Sequence, residues 1–168
     1  MRFVYVLMAG VMFCAPALAG AVSMTNDPKG FRNIGWGAPL NTRTDLEPTR
    51  HGPNIIEYRF KNAPPSFANI PVESLHLSTV DDQFARVTIR YHGEDTHKRI
   101  LAYLESEFGR MERLPGQMLR GLNQQYNWRG SESEINLTYQ AGTERGYLFL
   151  DSRTLAPRFN DLLADTAE

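Results

Sequence analysis

One stretch of the chain gathers side chains that suit a metal ion. In "HGEDTH", His92 and His97 bracket Glu94 and Asp95, and imidazole with carboxylate is a donor set that zinc and similar divalent ions accept. The spacing is H-x4-H across an expected strand-to-helix turn, unlike H-E-x-x-H, which puts two histidines on one helical face. A plainer account has Asp95 capping the helix, Glu94 favoured by the positive end of the helix dipole, and both histidines solvated. His92 and His97 are thus the metal candidates, and a metal-dependent hydrolase using them is the alternative reading of function.

No catalytic residue is assigned and no cofactor is expected. The serines of "RGSESE" lack the G-x-S-x-G turn of a nucleophile elbow. Asp81 and Asp82 read as turn formers rather than as an acid/base pair. "GWG" and "GAP" lack the lysine and the strand–helix context of a phosphate loop. His51 and His76 have no partner nearby in the sequence. The aromatics are a second set of candidates. Tyr126 and Trp128 share one face of a predicted strand, and Trp36 is placed near them. Such rings stack on sugars, so Trp36, Tyr126 and Trp128 are the ligand-binding candidates of a glycan-binding module. Ordinary core packing accounts for Trp36 and Trp128 with fewer assumptions.

The elements that must position these groups follow from periodicity. "NIIEYRFKN" alternates Ile56, Tyr58 and Phe60 as a strand. "VESLHLSTV" and "QFARVTIRYHG" form a hairpin about Asp81-Asp82. The pattern then turns helical in "GEDTHKRILAYLESEFGRM", with Ile100, Leu101, Leu104 and Phe108 as its apolar stripe and Gly109 as its stop. "LNQQYNWRG", "SEINLTYQ" and "GYLFLDS" read as three further strands. "LAPRFNDLLADTAE" reads as a closing helix with Leu155, Phe159, Leu162 and Leu163 inward. Ile34 to Trp36 is expected as a short edge strand, and "NLT" at Asn136 as a chance match to a glycosylation acceptor. The expected fold is α+β: an antiparallel sheet of about six strands with one or two helices on one face, in a (βββα)2 arrangement if the halves are duplicated.

The N-terminus reads as an export signal. Arg2 is followed by an apolar run from Phe3 to Leu18 and by Ala17-Leu18-Ala19, a small-x-small cleavage site. The run is short for a membrane span and carries Gly10 and Pro16, so no transmembrane segment is expected after cleavage. Cleavage after Ala19 removes 19 of the 168 residues, including the single cysteine, Cys14. No disulfide or thiolate chemistry then remains. Losing Arg2 takes the net charge from −1 to −2, which leaves no basic excess for nucleic acid. Residues 20–30 read as a flexible leader and residues 31–168 as one domain. Within it, 39–72 reads as a proline-rich loop segment, since six of the ten prolines lie there.

Phe31, Ile34, Trp36 and Gly37 resemble the F-x-x-I-x-W-G opening of small exported bacterial proteins of uncharacterised function. Phe108-Gly109 and Tyr126-x-Trp128-Arg-Gly130 fit the later "Y/F-G" and "Y-x-W-x-G" steps of that pattern. Where such proteins run from "WG" into an acidic amphipathic helix, this chain has "APLNTRTDLEPTRHGP". The resemblance implies an α+β envelope protein, similar to small periplasmic assembly-factor or inhibitor-like domains, and carries over no catalytic residue. The expected role is therefore non-catalytic, in the periplasm or secreted medium of a Gram-negative bacterium. The partner would be a protein or cell-envelope component, met by the sheet face or by residues 39–72.

Overall fold

Alternation of period two builds most of the chain into one antiparallel sheet. The computed structural model describes residues 22–110 and 123–165; the expected export signal, Cys14 and the expected cleavage site after Ala19 lie outside the described residues. The strands are β1 (Val22–Ser23), β2 (Gly30–Phe31), β3 (Ile34–Gly35), β4 (Leu46–His51), β5 (Ile55–Phe60), β6 (Ser66–Phe67), β7 (Ile70–Pro71), β8 (Ser74–Val80), β9 (Gln83–His92), β10 (Asn123–Arg129), β11 (Ser133–Gln140) and β12 (Arg145–Ser152). Helix α1 (Glu94–Phe108) joins β9 to β10, and α2 (Ala156–Asp165) follows β12. The main sheet has the order β1-β10-β11-β12-β9-β8-β5-β4. Only the two-residue β1 runs parallel to its neighbour. Among the described residues no helix is long and apolar enough to cross a membrane.

The sheet is wider than the six strands expected, and its halves differ. β5, the strand expected within the proline-rich segment, joins the sheet, and so does β4, in the part of it read as loop. Pro48 stands in β4 at the sheet's edge, where the outer side needs no ladder donor, and the register slips between Pro48 and Arg50. The hairpin of β6 and β7 leaves the sheet and sets Phe67 edge-on to Tyr103 of α1, with ring centroids 5.3 Å apart.

The two helices lie on opposite faces, not on one. Ile100, Leu104 and Phe108 of α1 share a core with Val87, Ile89 and Trp128. Phe159 of α2 packs instead on Val80 and Ala85, with the Arg86 guanidinium 4.5 Å from its ring. Arg86 and Val87 are consecutive in β9, so their side chains leave the sheet on opposite sides. The register slip between Ser78 and Thr79 leaves Ala85 without a partner on β8. Val80 and Ala85 thereby turn toward α2, where Ile55, Leu155 and Leu162 pack around them. Leu163, expected inward, is 43 % exposed.

Helix α1 starts from Gly93 with no side-chain cap, so Asp95 lies inside the first turn rather than at the cap. It ends at Gly109, whose φ of 110° only glycine adopts readily. The segment read as a flexible leader is tied down here. The Thr25 N–H donates to the Phe108 carbonyl at 3.1 Å, and Asn26 Nδ2 donates to that of Glu107 at 3.1 Å. Asp27 accepts from the Glu132 and Ser133 N–H groups at 2.7 and 3.0 Å and from the Ser131 hydroxyl at 2.9 Å. Partial burial raises its pKa, but these donors outweigh that and hold the carboxyl below its ordinary value.

Residues 30–35 form a separate small hairpin, not an edge strand of the main sheet. Arg32 and Asn33 take left-handed φ values of 47° and 63°, as a two-residue hairpin turn requires. Trp36 leaves this hairpin half-buried on Phe84, with centroids 4.8 Å apart, and its Nε1 donates to Ser133 Oγ at 2.8 Å.

Candidate functional site: the open face of the sheet

The strands that bury leucine against α1 present a different set of residues on their other side. On β12, Leu148 and Leu150 face the core while Tyr147 and Phe149 face away. The outer rings are half-buried and lie parallel, with centroids 6.4 Å apart and planes 4° apart. Arg90 stands opposite Tyr147 across the ladder, its guanidinium 5.9 Å from the ring. Arg86 lies 5.5 Å from Phe149.

An amide ladder runs along the other side of these rings. Asn136 is opposite Phe149, and Asn127 is opposite Asn136. Asn127 Nδ2 donates to Asn136 Oδ1 at 2.6 Å and to Glu134 Oε1 at 2.8 Å. The Asn127 side-chain carbonyl and the Asn136 amino group keep hydrogen-bonding capacity beyond this network. Asn136, read as a chance glycosylation match, is thus part of a sheet-face network. Helix α2 lies over the end of this face that carries Ile55, Val80, Ala85 and Arg86, where Arg86 Nη2 donates to Asn160 Oδ1 at 3.1 Å.

Toward the ends of β9 and β12 the face opens into a hollow of about 580 Å³, lined by Arg90, His92, Arg145, Tyr147, Thr143 and Glu73 among others. Both arginines are exposed, and among the described residues neither is ion-paired. A second hollow of about 470 Å³ lies where β5 and β8 diverge beyond the Tyr58–Leu77 pair. Its charged groups are already engaged: Arg59 with Glu47 at 2.6 Å, and Arg32 over Phe60 at 4.8 Å. Of these two hollows, the first is the one in which both lining arginines are without an ion pair among the described residues.

The two metal candidates do not converge. His92 leaves β9 on the open face, paired across the ladder with Arg145. His97 is buried against the opposite face, contrary to the expectation that both histidines are solvated. Among the described residues no three His, Cys, Asp or Glu side chains cluster as a metal site would need. His97 instead anchors a polar network inside the core. Its ring stacks on Tyr139 at 4.3 Å, Nδ1 lies 2.7 Å from the Tyr91 hydroxyl, and Nε2 lies 3.1 Å from Gln124 Oε1. Tyr126 donates to the same Gln124 oxygen at 3.0 Å. Gln124 Oε1 thus draws the proton to Nε2 and leaves Nδ1 to accept from Tyr91. The Tyr91 ring lies directly over Gly146, where an added Cβ would stand 1.9 Å from ring carbon Cζ.

Burial lowers the His97 pKa below its ordinary 6.5, against the raising effect of the Gln124 hydrogen bond. The folded state therefore binds this proton less readily than the unfolded chain. The stability it confers is whole above pH 6.5 and is lost as pH falls through the lower folded value. The slope is at most about 1.4 kcal/mol per pH unit. Urea unfolding followed from about pH 7.5 down to about pH 5 should show this loss, and His97→Gln should flatten it. An unchanged slope in the variant would assign the effect to another group.

The aromatic candidates are also turned away from solvent. Tyr126 and Trp128 are buried on the α1 side, with centroids 6.3 Å apart, so their faces meet protein. Trp36 is partly covered by Phe84. The residues that do reach the open face, Tyr147, Phe149 and Arg90, carry a signal in the sequence. "YLFL" is apolar at four successive positions, which marks a strand with uses for both faces rather than one. No family model matches the chain, and neither a curated protein nor a solved structure matches it.

Proposed function

We propose that the protein is an exported, non-catalytic binding protein that engages a cell-envelope component through the open face of its sheet. The observation that carries this is the stacked Tyr147–Phe149 pair, half-buried on the face of the sheet opposite α1. Aromatic rings on a rigid sheet contribute apolar contact area with little side-chain entropy to lose on binding. The flanking amides and arginines supply orientation. Export is supported by the apolar run from Phe3 to Leu18 and the Ala17-Leu18-Ala19 site. The F-x-x-I-x-W-G resemblance points to the same compartment.

The reading is tested by affinity capture from a periplasmic extract, comparing the protein with its Tyr147→Ala/Phe149→Ala variant. The variant should keep its circular dichroism spectrum and lose the captured component by about tenfold or more, the range of an interface anchor. Equal capture by the two proteins would exclude the sheet face as the contact surface.

A further inference from the structure

We infer that the hollow at the β9–β12 end of the sheet is a binding site for a saccharide that bears a carboxylate. This rests on the reading of the open face as the contact surface and names its ligand. Two features of the hollow converge. Arg90 and Arg145 border it, exposed and without an ion-pair partner among the described residues. Glu73 is the one carboxylate among its lining residues, so the lining carries an excess of one fixed positive charge, with Glu144 beside it 4.0 Å from His92 Nδ1. Charge of that sign and shape favours an anion, and a guanidinium can hold a carboxylate through two parallel hydrogen bonds.

The neighbouring groups select for a sugar ring over a bare anion. Tyr147 belongs both to the hollow and to the stack with Phe149, so an anion held by the arginines lies beside a half-exposed aromatic strip. The apolar face of a pyranose stacks on such a strip, and hydroxyls around its rim need neutral donors and acceptors. Thr143 lines the same hollow, its hydroxyl donating to Gln140 and free to accept, and the Asn127–Asn136 ladder lies beyond the rings, pre-set by its own hydrogen bonds.

The test is an amide chemical-shift titration of the purified protein with two carboxylated saccharides: trigalacturonate and the N-acetylglucosamine–N-acetylmuramic acid disaccharide. At least one should shift amides in 88–92 and 145–149 at saturable concentrations. Methyl esterification of that ligand, or the exposed substitutions Arg90→Gln and Arg145→Gln combined, should weaken binding about tenfold or more. Tyr147→Leu should weaken it without affecting the response to inorganic phosphate. No shift with either saccharide, or equal affinity for the methyl ester, would overturn the assignment. So would hexaglutamate or phosphate matching the saccharide's shifts and affinity, since the site would then read charge alone. If the saccharides fail while Tyr147 and Phe149 still govern extract capture, the ligand class falls and the binding face stands. If both fail, the face itself is excluded.

Discussion

Replacing Trp128 by alanine should cost the fold about 3–5 kcal/mol, the largest loss expected from any aromatic truncation in this chain. The side chain is fully buried, at 0 % exposure, and lies opposite Ile135 on the inner face of β10. Its Nε1 donates to the Gly109 carbonyl at 2.8 Å, so one residue fills the core and ties the sheet to the end of α1. Alanine would leave both a cavity and a carbonyl stripped of its donor. Trp128→Phe keeps much of the volume and should show the hydrogen bond's share, about 1–3 kcal/mol. Trp36→Ala should cost clearly less than Trp128→Ala, because Trp36 is only half-buried. Urea unfolding monitored by far-ultraviolet circular dichroism measures all three. A Trp128→Ala loss below about 1 kcal/mol would mean that the ring is not part of the packed core.

The second large effect concerns Arg86 and Asp151. Asp151 is 6 % exposed and receives Arg86 Nε on Oδ1 at 2.5 Å and Nη2 on Oδ2 at 3.3 Å. The same guanidinium lies between Phe149 and Phe159, at 5.5 and 4.5 Å from their centroids. It therefore fastens α2 to the sheet as well as neutralising a buried carboxylate. Arg86→Ala should cost about 3–5 kcal/mol near neutral pH, because a buried charge is left without its counter-charge. Replacing both partners, as in Arg86→Met with Asp151→Leu, should restore most of that loss.

The pH dependence of Arg86→Ala gives an independent check. Burial raises the Asp151 pKa above its ordinary 3.8, and Arg86 only partly opposes it. Neutral Asp151 is therefore the form the fold holds more easily. Its contribution is complete below pH 3.8 and is lost as pH rises through the folded value. Removing Arg86 raises that value further, so the gap between variant and parent should narrow toward acid pH. A gap independent of pH would mean that the loss comes from aromatic stacking rather than from the stranded charge.

Local pattern made much of the scaffold legible. The β8–β9 hairpin, its Asp81-Asp82 turn with φ values of 47° and 64°, helix α1 and its stop at Gly109 all follow from nearest-neighbour signals. β4 was not legible, since "LEPTRH" has neither alternation nor an apolar run and is a strand only because β5 offers it an edge. The open face was half legible, in the unbroken apolar run "YLFL".

What sequence alone determined is which residues alternate, where the chain turns and that the fold is α+β with antiparallel strands, because these depend on backbone preferences within a few residues. Tertiary structure decided which side each element uses. His92 and His97 are five residues apart yet part to opposite faces, since the turn at Gly93 carries α1 beneath the sheet. His97 is buried by Gln124 and Tyr139, and Asp151 finds Arg86 across 65 positions. Such choices are set by the total apolar area buried and by pairing of distant charges. That is why the candidate site moved from Trp36, Tyr126 and Trp128 to the reverse side of the same sheet.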